Sequence, residues 1–308
     1  MSKHILLTGG TGLIGGKLTE ALLNKGHRVS HLSRTPGTHP GVTTFLWDVD
    51  KGQIDEACIN GVDTIVHLAG ANIADGRWTD ARKKEIIESR TKSIALVYKL
   101  LKAKPQHTVK AVVSASGISY YGDKGDELLT ETSAPGTDFL ASCCLQWEHA
   151  VNMGESLGLR IVKFRTGVVL DANGGALATL AKPIKLGFGA TLGTGKQWMA
   201  WIHEEDVIDM YLYGIENEQL TGEYNMVAPN PVTNKQLTKA VAKELHKPLW
   251  LPKVPSFALQ LLLGEMSTVI LSSQKASAQK IEEAGFKFKY PTLMWALKEI
   301  YAPPNPPL

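Results

Sequence analysis

Disulfide chemistry is the first thing the chain lacks. Its 308 residues hold only Cys58, Cys143 and Cys144. The count is odd, two of the three are adjacent, and no zinc-ligand spacing occurs. Reduced thiols in a cytoplasmic protein are therefore expected, not a disulfide framework or a metal site. Long apolar runs are missing too. Nothing approaches the ~18 residues of a membrane span, and Ile5-Leu6-Leu7 is too short for a secretion signal. Neither a membrane partner nor secretion is expected. Charge of one sign is also scarce: 33 Lys and Arg stand against 30 Asp and Glu, with no basic run. That balance disfavours nucleic-acid binding. No Gly-x-Ser-x-Gly elbow and no His-Glu-x-x-His helix is present. Residues 190–197 superficially suggest a phosphate loop but lack its first glycine and its closing Ser or Thr. Lys196 there reads as an anion contact near a substrate. His203 with Glu204, Glu205 and Asp206 has a metal-like look, yet three consecutive acids cannot share one helix face. A helix start with acids at its positive end is the expectation.

What is present is an ordinary globular composition, 44% hydrophobic and 20% charged. The length suits about two domains at ~150 residues each. Apolar runs at 4–8, 28–32, 43–47, 63–68, 109–114 and 160–164 read as buried strands. Between them lie helical patterns at 13–24, on a long stretch after Thr79 (its N-cap), and at 139–157. Ile87, Ile94, Val97, Tyr98 and Leu101 should line the core face of the long helix. Strands alternating with helices predict an α/β fold, a doubly wound parallel sheet of Rossmann type. Residues 1–169 are expected to form a dinucleotide-binding domain, with 201–216 returning to it. Residues 170–200 and 217–308 are expected to form a smaller mixed substrate domain. Only Pro303–Pro307 reads as a tail.

The chemistry begins at Thr8-Gly9-Gly10-Thr11-Gly12-Leu13-Ile14-Gly15, between the first strand and the first helix. Gly9 allows the tight turn, Gly12 lets the backbone approach a pyrophosphate, and Gly15 lets helix and sheet pack closely. Thr11, Gly12, Leu13 and Ile14 supply the start of a helix, whose N–H groups and positive dipole end suit phosphates. The second strand ends His31-Leu32-Ser33-Arg34-Thr35, without the Asp or Glu that holds an NAD ribose. Arg34 can clamp a 2′-phosphate with its planar fork and Ser33 can add a hydroxyl. The expected cofactor is NADP(H).

These segments resemble an extended short-chain dehydrogenase/reductase of the NAD-dependent epimerase/dehydratase family over essentially the whole chain. Besides Thr8–Gly15, the likeness rests on His67-Leu68-Ala69-Gly70, Ser114–Gly122 and Trp201-Ile202-His203-Glu204-Glu205-Asp206-Val207. More narrowly, the chain is similar to an atypical epimerase-like subgroup with a C-terminal domain of unknown function. That likeness rests on Arg77-Trp78, Lys84–Arg90, Asp138-Phe139-Leu140, Gly195–Trp198 and Gly285–Phe288. The resemblance implies that Leu68, Ala69 and Gly70 pass under the adenosine and that Asp48 faces the adenine. It further implies that Glu85 and Arg90 approach the cofactor and that Val169 sits near the nicotinamide.

The family's usual Tyr and Lys pair, four apart at the start of the helix after the fifth strand, is absent. The corresponding residues read Phe139-Leu140-Ala141-Ser142-Cys143-Cys144. Phe139 and Leu140 cannot transfer a proton, and neither Cys143 nor Cys144 carries a lysine's charge. Ser116 aligns with the family's substrate-orienting serine, and Tyr120 and Tyr121 follow in a loop expected at the sheet's ligand-binding edge. Tyr121 with Ser116 is the candidate catalytic set; the alternative for the tyrosines is packing of that loop. Two functions follow. One is an NADP(H)-dependent epimerase-like oxidoreductase acting on a small hydroxyl or carbonyl compound, with Trp198, Trp201 and Lys196 near its pocket. The other is an NADP(H)-binding regulatory or sensor protein with little turnover.

Overall fold

The computed structural model describes residues 2–172 and 174–302. In chain order the first elements are β1 (His4–Thr8), α1 (Leu13–Asn24), β2 (Arg28–Ser33), β3 (Thr43–Asp48), β4 (Gln53–Ile54) and β5 (Thr64–His67). They are followed by α2 (Asp80–Ala103), β6 (Ala111–Gly117), β7 (Leu128–Leu129), α3 (Phe139–Asn152) and β8 (Arg160–Thr166). Next come β9 (Val168–Leu170), α4 (Gly175–Lys185), β10 (Trp198–Met199), β11 (Trp201–His203), α5 (Glu204–Glu216) and β12 (Gly222–Met226). The chain closes with β13 (Val232–Thr233), α6 (Asn234–Glu244), α7 (Ser256–Leu263), α8 (Thr268–Leu271), β14 (Lys275–Ala276), α9 (Gln279–Glu283) and α10 (Leu293–Ile300).

Eight strands form one sheet in the order β12-β8-β6-β5-β1-β2-β3-β4. The pairs β1–β2, β1–β5, β2–β3 and β5–β6 are parallel, and β3–β4 is antiparallel. The protein is thus α/β with a mainly parallel central sheet and a smaller C-terminal region. All five residues of β1 are buried, as a strand covered on both faces requires. On one face Leu6, Leu32, Ile65 and Val112 pack with Ile94, Val97 and Leu101 of α2 and Trp147 and Val151 of α3. Each such side chain, fully buried, contributes roughly 1.5–3 kcal/mol of transfer free energy. Toward the other face, a Cβ on Gly214 of α5 would lie 3.0 Å from the Phe164 ring and 3.4 Å from Val113.

The helix boundaries follow capping chemistry. Thr79 accepts the Arg82 N–H and starts α2; Gly26, at φ +78°, follows the end of α1 in the left-handed conformation. At the N-terminal end of α2 the residue sealed in the core is Ile86, and the expected Ile87 is only half-buried. The helix is rotated there by one position relative to the stripe read from the sequence. β12 was not among the expected strands. Glu223-Tyr224-Asn225-Met226 alternates polar and apolar, but over only four residues, at the lower limit for reading a strand from period.

The chain divides into two compact units: residues 1–120, 137–165 and 208–224 form one, and residues 121–136, 166–207 and 225–308 the other. In the second unit Trp201 is fully buried among Leu170, Leu177, Ile184, Leu237, Val241 and Leu297. β9 pairs in parallel with β11, β10 antiparallel with β13, and β14 in parallel with β7.

Candidate functional site

Strand register assembles the site. Thr8 pairs with Leu32 on one side and His67 on the other, so three chain segments leave the sheet at one level. The glycine turn lies between Ser33-Arg34 and Leu68-Ala69-Gly70. Thr8 Oγ1 ties two of the segments together, accepting the N–H groups of Leu68 at 3.2 Å and Ala69 at 3.1 Å.

The three motif glycines answer to different constraints. Gly9 has φ +74°, and a Cβ there would come 2.9 Å from the Leu68 carbonyl carbon. A Cβ on Gly15 would lie 2.2 Å from Gly9 O. Both are glycine because the fold itself leaves no room. Gly12 differs. Its φ is −76°, and the nearest atom to a Cβ would be Gly9 O at 3.3 Å. Of the three it is the least crowded by the protein's own packing. Gly12 is also the N-cap of α1, with no side-chain cap bond and no acid in the first turn. The tip Thr11-Gly12-Leu13 is exposed and Ile14 half-buried. The result is a cradle of backbone donors at a positive helix end, open where an anion would approach. The residues present fit a dinucleotide pyrophosphate.

The flanks carry the remaining candidates. Arg34 is exposed and Ser33 half-buried, with Ser33 Oγ accepting the Thr35 N–H at 3.3 Å. Leu68 and Ala69 are half-buried, Gly70 exposed. A Cβ on Gly70 would meet the Arg90 guanidinium carbon at 3.0 Å, so Arg90 lies directly over this segment. Its Nη1 donates to the carbonyls of Ala71 and Ile86 at 3.1 and 2.8 Å, and its guanidinium sits 5.0 Å from the Trp147 ring. Burial draws the Arg90 pKa below the usual guanidinium range. Beneath it, Trp147 Nε1 donates to His67 Nδ1 at 3.3 Å, which leaves the His67 proton on Nε2, facing Ser93 Oγ at 2.9 Å. Burial, then the Arg90 charge, pushes His67 down to about 3 and keeps it neutral. Glu85 is exposed and accepts from Arg82 Nη1 at 2.6 Å. Asp48 pairs with Lys51 at 2.8 Å.

The candidate proton-handling residues are all engaged. Ser116 is 4% exposed, and its hydroxyl donates to Glu148 Oε1 at 2.7 Å. Arg165 holds the same carboxylate through Nε at 2.8 Å and Nη2 at 2.9 Å, and stacks 3.5 Å from the centre of the Tyr120 ring. Tyr121 falls in the second unit, fully buried, and donates to Asn225 Oδ1 at 2.7 Å. Val169 lies in that unit too, on β9 opposite Ile202. Glu148, Arg165 and Asn225 were not anticipated from the sequence. A signal existed for Arg165: with Lys163 it puts two cations among Ile161, Val162 and Phe164 in the interior of the strand Arg160–Thr166.

Phe139 opens α3, 5.0 Å from the Trp78 ring and 5.4 Å from Lys83 Nζ. Cys143 and Cys144 are buried, and burial raises both thiol pKa values, that of Cys144 to about 12. Neither is a thiolate at neutral pH. Among the described residues one group has metal-ligand spacing, His203, Glu205 and Glu299, with ligand atoms within 4.8 Å. The imidazole rules against an ion there. Nδ1 accepts the Glu205 N–H at 3.2 Å, so Nε2 carries the proton it gives Glu299 at 2.8 Å. A metal on Nε2 needs that proton on Nδ1, where it would face another donor. The group pins α10 to the end of β11. Lys196 is exposed, on the loop that Lys253 Nζ reaches through Thr194 O at 3.3 Å.

The sequence profile of the NAD dependent epimerase/dehydratase family matches residues 5–227. The chain belongs to that family. Residues 254–300 match a domain of unknown function, DUF1731. The epimerase family protein YfhF of Bacillus subtilis is 38% identical over 301 residues, covering 97% of this chain and 98% of its own. The crystal structure of human epimerase family protein SDR39U1 with NADPH is similar at TM-score 0.85 and 32% identity, covering 97% and 99% of the two chains. A Corynebacterium glutamicum nucleoside-diphosphate sugar epimerase matches at TM-score 0.79 and 32% identity, covering 98% of this chain and 58% of that one.

Proposed function

We propose that this family member binds NADP(H) at the β1–α1 turn and is an epimerase-like oxidoreductase acting on a small hydroxyl or carbonyl compound. The observation that carries the reading is Gly12, exposed at an uncapped helix start and the least crowded of the three motif glycines. The human relative that binds NADPH supports the choice of cofactor. Gly9, Thr11, Gly12, Leu13 and Ile14 hold the pyrophosphate, and Ser33 and Arg34 the 2′-phosphate. By the family likeness, Leu68, Ala69 and Gly70 are the candidates to pass under the adenosine and ribose, Glu85 and Arg90 those to approach the cofactor, and Val169 the candidate for its nicotinamide end. When bound, the cofactor supplies hydride chemistry. The catalytic candidates among the chain's own residues are Tyr121 as proton donor and Ser116 as substrate-orienting hydroxyl, and Tyr121 could serve only after its proton leaves Asn225 Oδ1. Ser116 directs its proton at Glu148, so it can orient a ligand only by accepting, which suits a substrate hydroxyl.

Titration of NADPH and NADH into the wild type and Arg34→Ala tests the cofactor. The wild type should prefer NADPH by about 1–3 kcal/mol, and the variant should lose that preference. Equal wild-type affinities sink the assignment. A second reading, an NADP(H)-binding sensor with little turnover, is favoured by the engaged hydroxyls of Tyr121 and Ser116 and by the stretch Phe139–Cys144, which offers neither tyrosine nor lysine where the usual pair stands. A metabolite panel read by NADPH fluorescence separates the two. With a turning-over substrate, Tyr121→Phe should lower kcat on the order of 10²–10⁴-fold and leave NADPH affinity unchanged. Unchanged kcat removes Tyr121 from the mechanism, and no turnover across the panel favours the sensor.

A further inference from the structure

The second unit carries large apolar side chains on its surface. Leu186, Phe188, Trp250, Phe257, Leu261 and Leu262 are each 63–84% exposed. They belong to one stretch of backbone. Trp250 Nε1 donates to Gly187 O at 3.1 Å, which seats the indole beside Leu186 and Phe188. From there residues 250–254 run alongside 187–193, joined by Val254 N–H to Thr191 O and Gly193 N–H to Val254 O, both at 2.9 Å. α7 follows at once. Of its eight residues only Leu259 is buried, and it has no charged side chain. Phe257 and Leu261, one turn apart, and Leu262 face solvent.

The charge along these segments is mostly of one sign, though Glu244 and the exposed Glu265 stand at their borders. Residues 172–203 and 245–264 contain no Asp or Glu, and carry Lys182, Lys185, Lys196, Lys247 and Lys253. All five lysines are exposed; Lys185 Nζ lies 5.8 Å from the Tyr301 ring and Lys253 Nζ 3.3 Å from Thr194 O. Over the whole chain the signs are nearly even, at 33 cations to 30 anions. We infer that this face is a peripheral membrane-binding surface, with Trp250, Phe188 and the outer side of α7 entering the interface of an anionic bilayer and the lysines meeting its headgroups. Aromatic and leucine side chains ringed by lysines are the composition that such interfaces select.

Two other occupants fit worse. A second copy of the chain would set lysine against lysine across the contact. A folded protein partner offers fixed pockets, whereas these side chains project individually and a fluid bilayer closes around each one. The surface lies on the interface without crossing it, because eight residues of helix fall far short of the ~20 that span a bilayer. This departs from the absence of a membrane partner expected from the sequence, where a search for long apolar runs does not register scattered projecting residues.

Sedimentation of the full chain with vesicles tests the inference. The protein should pellet with equimolar phosphatidylcholine and phosphatidylglycerol vesicles and far less with phosphatidylcholine alone. Leu261→Ser with Leu262→Ser should weaken partitioning on the order of a hundred-fold. Lys185→Ala and Lys253→Ala should each weaken it about five-fold, only on the anionic vesicles. These side chains are exposed, so unchanged far-ultraviolet circular dichroism and melting should accompany the loss. Tryptophan emission should shift to the blue on anionic vesicles, and Trp250→Phe should remove most of that shift. Failure to pellet with the anionic vesicles overturns the inference, as does equal pelleting of the double leucine variant. A Trp250 shift given equally by monomeric decyl phosphate, without vesicles, also overturns it and marks a small-molecule pocket instead.

Discussion

α1 and α3 begin in the same unit and are built in opposite ways. At α1 the capping residue is Gly12, no side chain accepts the first N–H groups, and the first turn holds no acid. At α3 the Asp138 carboxylate accepts the Ala141 N–H at 2.9 Å, and Phe139 is packed against Trp78. Thr79 and Thr233 cap α2 and α6 in the same manner as Asp138 caps α3. Glycine in place of a capping side chain costs a helix only a few tenths of a kcal/mol, so α1 forgoes a little local stability that its neighbours keep. A ligand anion at that end would restore it. The start of α3 has no such opening, because its own side chains fill it. One helix start is left uncapped and exposed, and the other is closed by the protein itself.

Gly12→Val should break this comparison most strongly. A branched side chain would fill the cradle, and NADPH affinity should fall by roughly a hundred-fold or more, about 3 kcal/mol, measured by calorimetry. The melting temperature should fall only modestly, by about 1 kcal/mol of stability, since valine is a poor N-cap and its Cβ would sit 3.3 Å from Gly9 O. Binding that survives the substitution places the phosphates elsewhere. Gly15→Ala should show the reverse pattern. Its Cβ would meet the Gly9 carbonyl at 2.2 Å, so thermal denaturation should reveal a loss of about 1–3 kcal/mol before any ligand is added. A variant as stable as wild type would show that helix and turn can separate freely. The smallest effect belongs to Asp138→Ala, which should cost about 1 kcal/mol of stability and leave NADPH affinity unchanged. A loss of affinity there would mean that α3 contributes to the cofactor site and that the contrast is too sharp.

Legibility in the sequence followed the range of the interaction. The glycine turn, Arg34 and the missing Tyr and Lys are local patterns, readable from spacing and residue type. The partners of the candidate hydroxyls are not. Ser116 meets Glu148 from 32 positions away and Tyr121 meets Asn225 from 104, and no period links such pairs. β12 was hidden for another reason. Its alternation, Glu223-Tyr224-Asn225-Met226, spans only four residues, the shortest run in which alternation marks a strand. The stacking of Arg90 on Trp147 joins α2 to α3 and depends on how two helices lie on one sheet face.

By itself, then, the chain's order of residues determined the parallel α/β sheet, the glycine turn after β1 and the basic end of β2, because apolar runs and glycine spacing act over a few residues. Only tertiary structure decided that Gly12 is the least crowded of the three motif glycines, since Gly9 and Gly15 are hemmed in more closely by backbone from Leu68 and from the turn itself. Tertiary structure also decided where the protons point: toward Glu148 and Asn225 for the two candidate hydroxyls, and from Nε2 toward Ser93 for His67. A hydroxyl or imidazole takes its direction from whichever acceptor folding brings within about 3 Å, and that acceptor comes from a distant part of the chain.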